Sequence, residues 1–158
     1  MRVEQLMTKQ VKSCGVDDTL DRAAKLMWDH DCGCLPVCAG DSVNRVVGVI
    51  TDRDICMSAL FKGRPLHDLR VADAMGRQLL VCRAGDSLAE VERTLRQERV
   101  RRLPVVDEQG ALIGMIALAD LAREAARVST TGKQEITEME VSDTLAAICQ
   151  PASRRLAA

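Results

Sequence analysis

Thr51 and Asp54 are the residues of this 158-residue chain best placed for ligand chemistry: a hydroxyl and a carboxylate three residues apart in the stretch GVITDRD, Gly48 to Asp54. A β-branched run leads into Thr51 and a helix-like segment follows, so the pair falls at a strand-to-helix junction. There the unpaired N–H groups of a helix start face an anion. A carboxylate one turn on accepts from sugar hydroxyls. Together they suit a phosphorylated sugar. The same S/T-x-x-D spacing is also that of a capping box, which closes a helix end with no ligand present. On these residues alone both readings stand.

A second group of reactive types is His30, Cys32, Cys34 and Cys38. C-x-C followed by C-x3-C is not a usual structural zinc spacing. Buried free cysteines commonly act as small apolar side chains. No metal is expected. Cys14 and Cys38 are the candidates for a disulfide, provided the first two strands bring their Cα atoms within about 7 Å. Seven cysteines at irregular spacing are not the framework of a secreted disulfide protein. His30 and His67 have no hydrolase-type partners, and no Gly-rich phosphate loop is present. Asp52 and Asp54 diverge on a helix rather than converge as an acid/base pair. The expectation is a protein that is not an enzyme.

Composition narrows the partners. The net charge is −1, and aromatic residues make up 1% of the chain, Trp28 and Phe61 alone. Strong electrostatic attraction to nucleic acid or a membrane surface is therefore not expected, nor is a base-stacking platform. The Arg93 to Arg102 stretch lacks a helix-turn-helix pattern. No apolar run approaches the roughly 20 residues of a membrane span. The opening MRVEQLMTKQ has no signal-like apolar core. The expected compartment is the cytoplasm.

The elements that must position these residues come in two copies. Val3 to Ile55 aligns with Val71 to Leu121: Met7 with Met75, Cys14 with Cys82, Leu20 with Leu88, and Leu35-Pro36-Val37 with Leu103-Pro104-Val105. Past that stretch Gly48 pairs with Gly114 and Asp54 with Asp120, so the first copy carries the longer turn, where such a difference is tolerated. Val11 to Val16 reads as a short strand, and Asp17-Asp18-Thr19 caps a helix with Leu20, Ala23, Ala24 and Met27 on one face. Two strands joined at Gly40-Asp41 follow, then a helix from near Asp52 that Gly63 and Pro65 stop. The second copy repeats this with Leu79 to Cys82, a cap at Asp86-Ser87, strands Leu103 to Val106 and Leu112 to Ile116, and a helix from about Leu118 to Arg127.

The plan is β-α-β-β-α twice, an α+β fold. Residues 1–62 form the first repeat, 63–70 a linker, 71–127 the second repeat and 128–158 a tail. A copy of about 50 residues buries too little surface to be secure alone, so the two are expected to pack about a pseudo-two-fold axis. In the tail, VSTTGKQE reads as mobile. Ser142-Asp143 reads as the cap of a short helix whose Leu145 and Ile148 need a surface to dock on.

With the duplication in view, the sequence resembles the cystathionine-β-synthase (CBS) domain family, as a tandem pair over about residues 3 to 125. The resemblance rests on the two h-P-V strands, on GVITDRD and GMIALAD, and on the opening Leu6-Met7-Thr8. The stand-alone bacterial type, similar to the hypoxic response CBS proteins, matches best; their pattern also includes a tail like Val141 to Pro151. The resemblance implies a regulatory module that binds AMP, ADP or ATP, or alternatively S-adenosylmethionine, in clefts between the repeats without transforming it. Asp54 would accept from the ribose hydroxyls and Thr51 would contact phosphate. Val11, Ser13, Leu35, Pro36 and Val37 would line the base. Gly48, Arg53, Pro104 and Asp120 complete the expected set, with Arg102 as a cation for phosphate. The second copy departs from the pattern with Ala117 in place of the hydroxyl, which predicts unequal sites. The resemblance also implies a homodimer paired through helices, a protein target the sequence does not name, and no cofactor. The competing reading is a dimeric adaptor with empty clefts, or a redox- or stress-responsive interaction protein.

Overall fold

The computed structural model describes residues 1–127 and 136–150. The 128–135 stretch read as mobile, and 151–158 at the end of the tail, lie outside the described residues. The first repeat runs β1 (Cys14–Gly15), α1 (Leu20–Asp29), β2 (Cys34–Cys38), β3 (Val46–Thr51) and α2 (Asp52–Lys62). The second runs β4 (Cys82–Arg83), α3 (Leu88–Glu98), β5 (Arg102–Val106), β6 (Leu112–Ala117) and α4 (Leu118–Ala125), and α5 (Glu138–Cys149) follows. Each repeat builds a three-stranded sheet with its h-P-V strand in the centre, in the orders β1-β2-β3 and β4-β5-β6. The expected β-α-β-β-α plan is present in both copies.

The first strand of each sheet is shorter than the expected Val11 to Val16 and Leu79 to Cys82. Pairing begins at Cys14↔Val37 and at Cys82↔Val105, one residue after Pro36 and Pro104. A proline has no N–H to contribute to a ladder. Its carbonyl is still used: the Cys14 thiol approaches Pro36 O at 3.9 Å and the Cys82 thiol approaches Pro104 O at 3.8 Å.

The opening segment of each repeat packs on the other repeat, which the sequence reading did not anticipate. Val71 N donates to Asp18 O, Ala72 N to Val16 O and Leu20 N to Leu69 O. The mirror set is Val3 N to Asp86 O, Glu4 N to Ala84 O and Leu88 N to Met1 O. Each bond in one set has its equivalent in the other. The chain accordingly divides into two compact units that do not follow the repeat boundaries: Thr8–Arg83 with Pro104–Gly114, and Met1–Met7 with Ala84–Leu103 and the described residues from Met115 onward.

In the first unit, Leu20, Ala23 and Met27 of α1, Leu35, Val37 and Ile50 of the sheet, and Leu69 and Val71 form one buried cluster. Cys38, Val46 and Val106 form a separate one. In the second unit Leu88, Val91 and Leu95 of α3 and Leu118, Leu121 and Ala125 of α4 are buried. The tail helix docks on α3 and α4. It starts earlier than expected: its cap is Thr137, not Ser142-Asp143, and a capping box with Glu140 closes it. Thr144 is fully buried and its hydroxyl bonds Glu92 of α3. Leu145 remains exposed. Thr137→Ala removes the cap at a cost of about 1 kcal/mol, and hydrogen exchange should quicken selectively over residues 138–142.

Candidate functional site

The junction of β3 and α2 has no loop. Thr51 is the last residue of the strand and Asp52 the first of the helix, so the free N–H groups of the first turn must be met at once. Asp52 N donates to Gly33 O at 3.2 Å. Thr51 Oγ1 accepts from Asp54 N at 3.2 Å and donates to Asp54 Oδ2 at 2.7 Å. Thr51 N donates to the same Oδ2 at 2.9 Å, completing a reciprocal capping box. Among the described residues no protein donor is found on Asp54 Oδ1. The box and the ligand reading are therefore compatible. One carboxylate oxygen holds the cap, and the other remains as an acceptor.

The second junction shares the backbone and not the side chains. Leu118 N donates to Arg101 O at 2.9 Å, the counterpart of Asp52 N to Gly33 O, and Ala117 N donates to Asp120 Oδ2 at 2.8 Å. Ala117 offers no hydroxyl. Asp120 is buried, and its Oδ1 is bonded by the guanidinium of Arg123 one turn on. The sequence reading weighed Ala117 and missed Arg123, although Asp and Arg at i, i+3 on a helix is a recognisable pairing signal.

The other expected residues distribute as follows. Leu35, Pro36 and Val37 are buried on β2, opposite Ile50, Val49 and Gly48. Val11 and Ser13 are half-buried just before β1, and Arg53 is exposed. These residues, with Gly48, Thr51, Asp54 and Pro104, belong to one compact unit, whereas Arg102 and Asp120 belong to the other. Gly48 has a packing reason to be glycine: a Cβ there would stand 2.8 Å from Gly76 O and 3.2 Å from Met75 Sδ.

Cys14 and Cys38 are free thiols, as are the other five cysteines. The register explains why they do not bridge. Cys14 lies beside Val37, so Cys38, one residue further on, points to the opposite face of the sheet. The two belong to different buried clusters. Burial, reinforced by the Asp18 carboxylate, pushes the Cys14 thiol up to about 12. Burial also raises the Cys38 thiol, against a hydrogen bond from the Ser13 hydroxyl that favours its thiolate.

A groove of about 580 Å³ opens between α1 and α2, lined by Met27, Trp28, Cys32, Ile55, Cys56 and Ala59 among others. Trp28 on its wall is 87% exposed, and Leu60 and Phe61, which follow Ala59 on α2, are 69% and 79% exposed.

Comparison with known proteins agrees with the duplicated architecture. The CBS domain family model matches residues 3–60 and again 71–127. The chain belongs to the CBS domain family. A CBS domain-containing protein of Bacillus subtilis, YhcV, is 35% identical over 120 residues, covering 76% of this chain and 82% of that protein. The crystal structure of hypoxic response protein I with two coordinated zinc ions superimposes with a TM-score of 0.70 at 32% identity, covering 78% of this chain and 98% of that one. CBSX2 in complex with AMP superimposes with a TM-score of 0.65 at 28% identity, covering 77% and 93%.

Among the described residues no group of three or more His, Cys, Asp or Glu side chains is arranged to hold a metal ion. None of the described helices is long and apolar enough to cross a membrane. The tight approach at Gly48 gives a direct check on the site's scaffold. Gly48→Ala forces either the Gly76 backbone or strand β3 to move and should lower stability by about 1–3 kcal/mol, read as a lower urea midpoint with an unchanged m-value.

Proposed function

We propose that this CBS pair is a cytoplasmic regulatory module that binds an adenosine nucleotide at the β3–α2 junction and does no catalysis. The observation that carries the reading is the Thr51–Asp54 pair. Among the described residues its capping box leaves Asp54 Oδ1 without a protein donor, at a helix start beside the h-P-V strand. Support also comes from CBSX2, a 28% identical structure that holds AMP. Oδ1 accepts from the ribose hydroxyls. The Thr51 hydroxyl rotates its proton from Asp54 toward phosphate while its oxygen still accepts from Asp54 N. The positive end of the α2 macrodipole favours the same negative charge. Val11 and Ser13, half-buried ahead of β1, offer side chains to the base, and Leu35, Pro36 and Val37, whose side chains are buried, offer it backbone groups. Arg53 is the cation nearest the cap in sequence. AMP is the first ligand to test, followed by ADP, ATP and S-adenosylmethionine.

A ligand that binds only the native state must raise its stability by RT ln(1 + [L]/Kd). AMP should therefore raise the melting temperature in a concentration-dependent way. Hydrogen bonds to a charged group contribute about 1.5–3 kcal/mol, so Asp54→Ala should weaken binding about tenfold or more. An unchanged melting temperature with all four ligands would favour the empty-cleft adaptor.

A homodimer through the α1–α2 face is the second part of the proposal. It rests on the exposure of Trp28 on α1 and of Leu60 and Phe61 on α2, in a chain with no other aromatic residue. Large uncovered apolar patches mark interaction surfaces. Trp28→Glu with Phe61→Glu should convert a dimer to a monomer in light scattering after size exclusion, with little loss of monomer stability because both side chains lie in solvent within one chain.

A further inference from the structure

We infer that Arg123 is a built-in occupant of the second adenosine site, so that each chain takes one nucleotide. The inference rests on the nucleotide reading of Asp54 and extends it to the copy where the carboxylate is kept. A ribose at Asp120 needs a carboxylate oxygen to accept from its hydroxyls. Oδ2 already receives Ala117 N, and Oδ1 receives the Arg123 guanidinium. Both acceptor atoms are engaged before any ligand arrives. A ribose hydroxyl must therefore compete for Oδ1 with a guanidinium, and the ion pair adds a Coulombic attraction that a neutral hydroxyl lacks.

The arrangement is local and inexpensive to maintain. Arg123 lies one turn beyond Asp120 on α4, so forming the pair orders only one side chain. Its own side chain is 71% exposed while that of Asp120 is 8% exposed. The guanidinium thus keeps most of its water, and the carboxylate gains a partner in a site largely closed to solvent. In the first repeat the aligned position is Met57, two residues before Ala59 on α2, which has no donor for Asp54. Among the described residues, one helical position accordingly separates a carboxylate whose Oδ1 meets no protein donor from one whose Oδ1 meets a cation. Ala117 removes the phosphate hydroxyl in addition.

Calorimetric titration with AMP, on the full chain, tests this with the residues of the first copy placed in the second: Arg123→Met alone and Arg123→Met with Ala117→Thr. Arg123 is exposed and threonine suits the end of a strand, so both variants should fold, which their circular dichroism confirms. The wild-type chain should take one AMP per chain, lost with Asp54→Ala. Arg123→Met should strengthen the weak site about tenfold, equivalent to 1.4 kcal/mol. The double variant should take two AMP per chain, and Asp54→Ala in that background should leave one, held through Asp120. A double variant that still takes one AMP, or a wild type that takes two with equal affinity, overturns the inference and leaves the Asp54 reading intact. Weaker binding in Arg123→Met also overturns it, since Arg123 would then be serving phosphate. AMP that binds nowhere, or whose wild-type site survives Asp54→Ala, overturns the nucleotide reading itself and removes the basis for this one.

Discussion

The abrupt passage from strand to helix, with no residue between them, sets the terms for everything near it. A helix that begins directly from a sheet exposes its first N–H groups at the sheet's end, and each must find an acceptor. The chain meets them with a carboxylate at the third helical position and a carbonyl from the start of the neighbouring strand. That solution fixes where Asp54 and Asp120 stand. It holds the helix start against the h-P-V strand. It also places a negative group beside the positive end of a helix, where the macrodipole favours it. The carboxylates would be needed here even in a protein with no ligand.

Because the backbone requirement takes only one oxygen of each carboxylate, the other is open to divergence. The two copies have used that opening differently. Thr51 adds a hydroxyl to the cap at the first junction, and among the described residues Asp54 keeps an oxygen without a protein donor. At the second, alanine leaves the cap half-made and an arginine engages the remaining oxygen. What differs is whether the junction is left able to receive anything.

Much of this was legible in the residues. The duplication gave the β-α-β-β-α plan, the central h-P-V strands and both junctions, because repeated apolar spacing and glycine positions survive in sequence. The strand starts were misread because a proline's missing donor acts on the neighbouring strand, several residues away, and propensity along Val11 to Val16 is blind to it. The Cys14–Cys38 bridge failed for a similar reason: adjacency of strands was right, but a one-residue step in register turns a side chain to the other face. The tail helix starts ahead of Ser142-Asp143 because Thr137 and Glu140 form a full capping box before that pair. The i, i+3 spacing permits Arg123 to meet Asp120, and only the folded helix decides which carboxylate oxygen it engages.

The reciprocal placement of the opening segments bears on how such a chain can arise. Residues 69–72 complete the first turn of the first repeat, and residues 1–4 complete that of the second. A lone repeat would thus carry an arm that fits a sister copy and a gap that a sister's arm fills. Two identical half-length chains have what they need to finish one another, at a cost in concentration dependence. Joining them end to end replaces that dependence with a fixed local concentration. It also frees one junction from the duty of matching the other, and the unlike surroundings of Asp54 and Asp120 are what that freedom leaves behind.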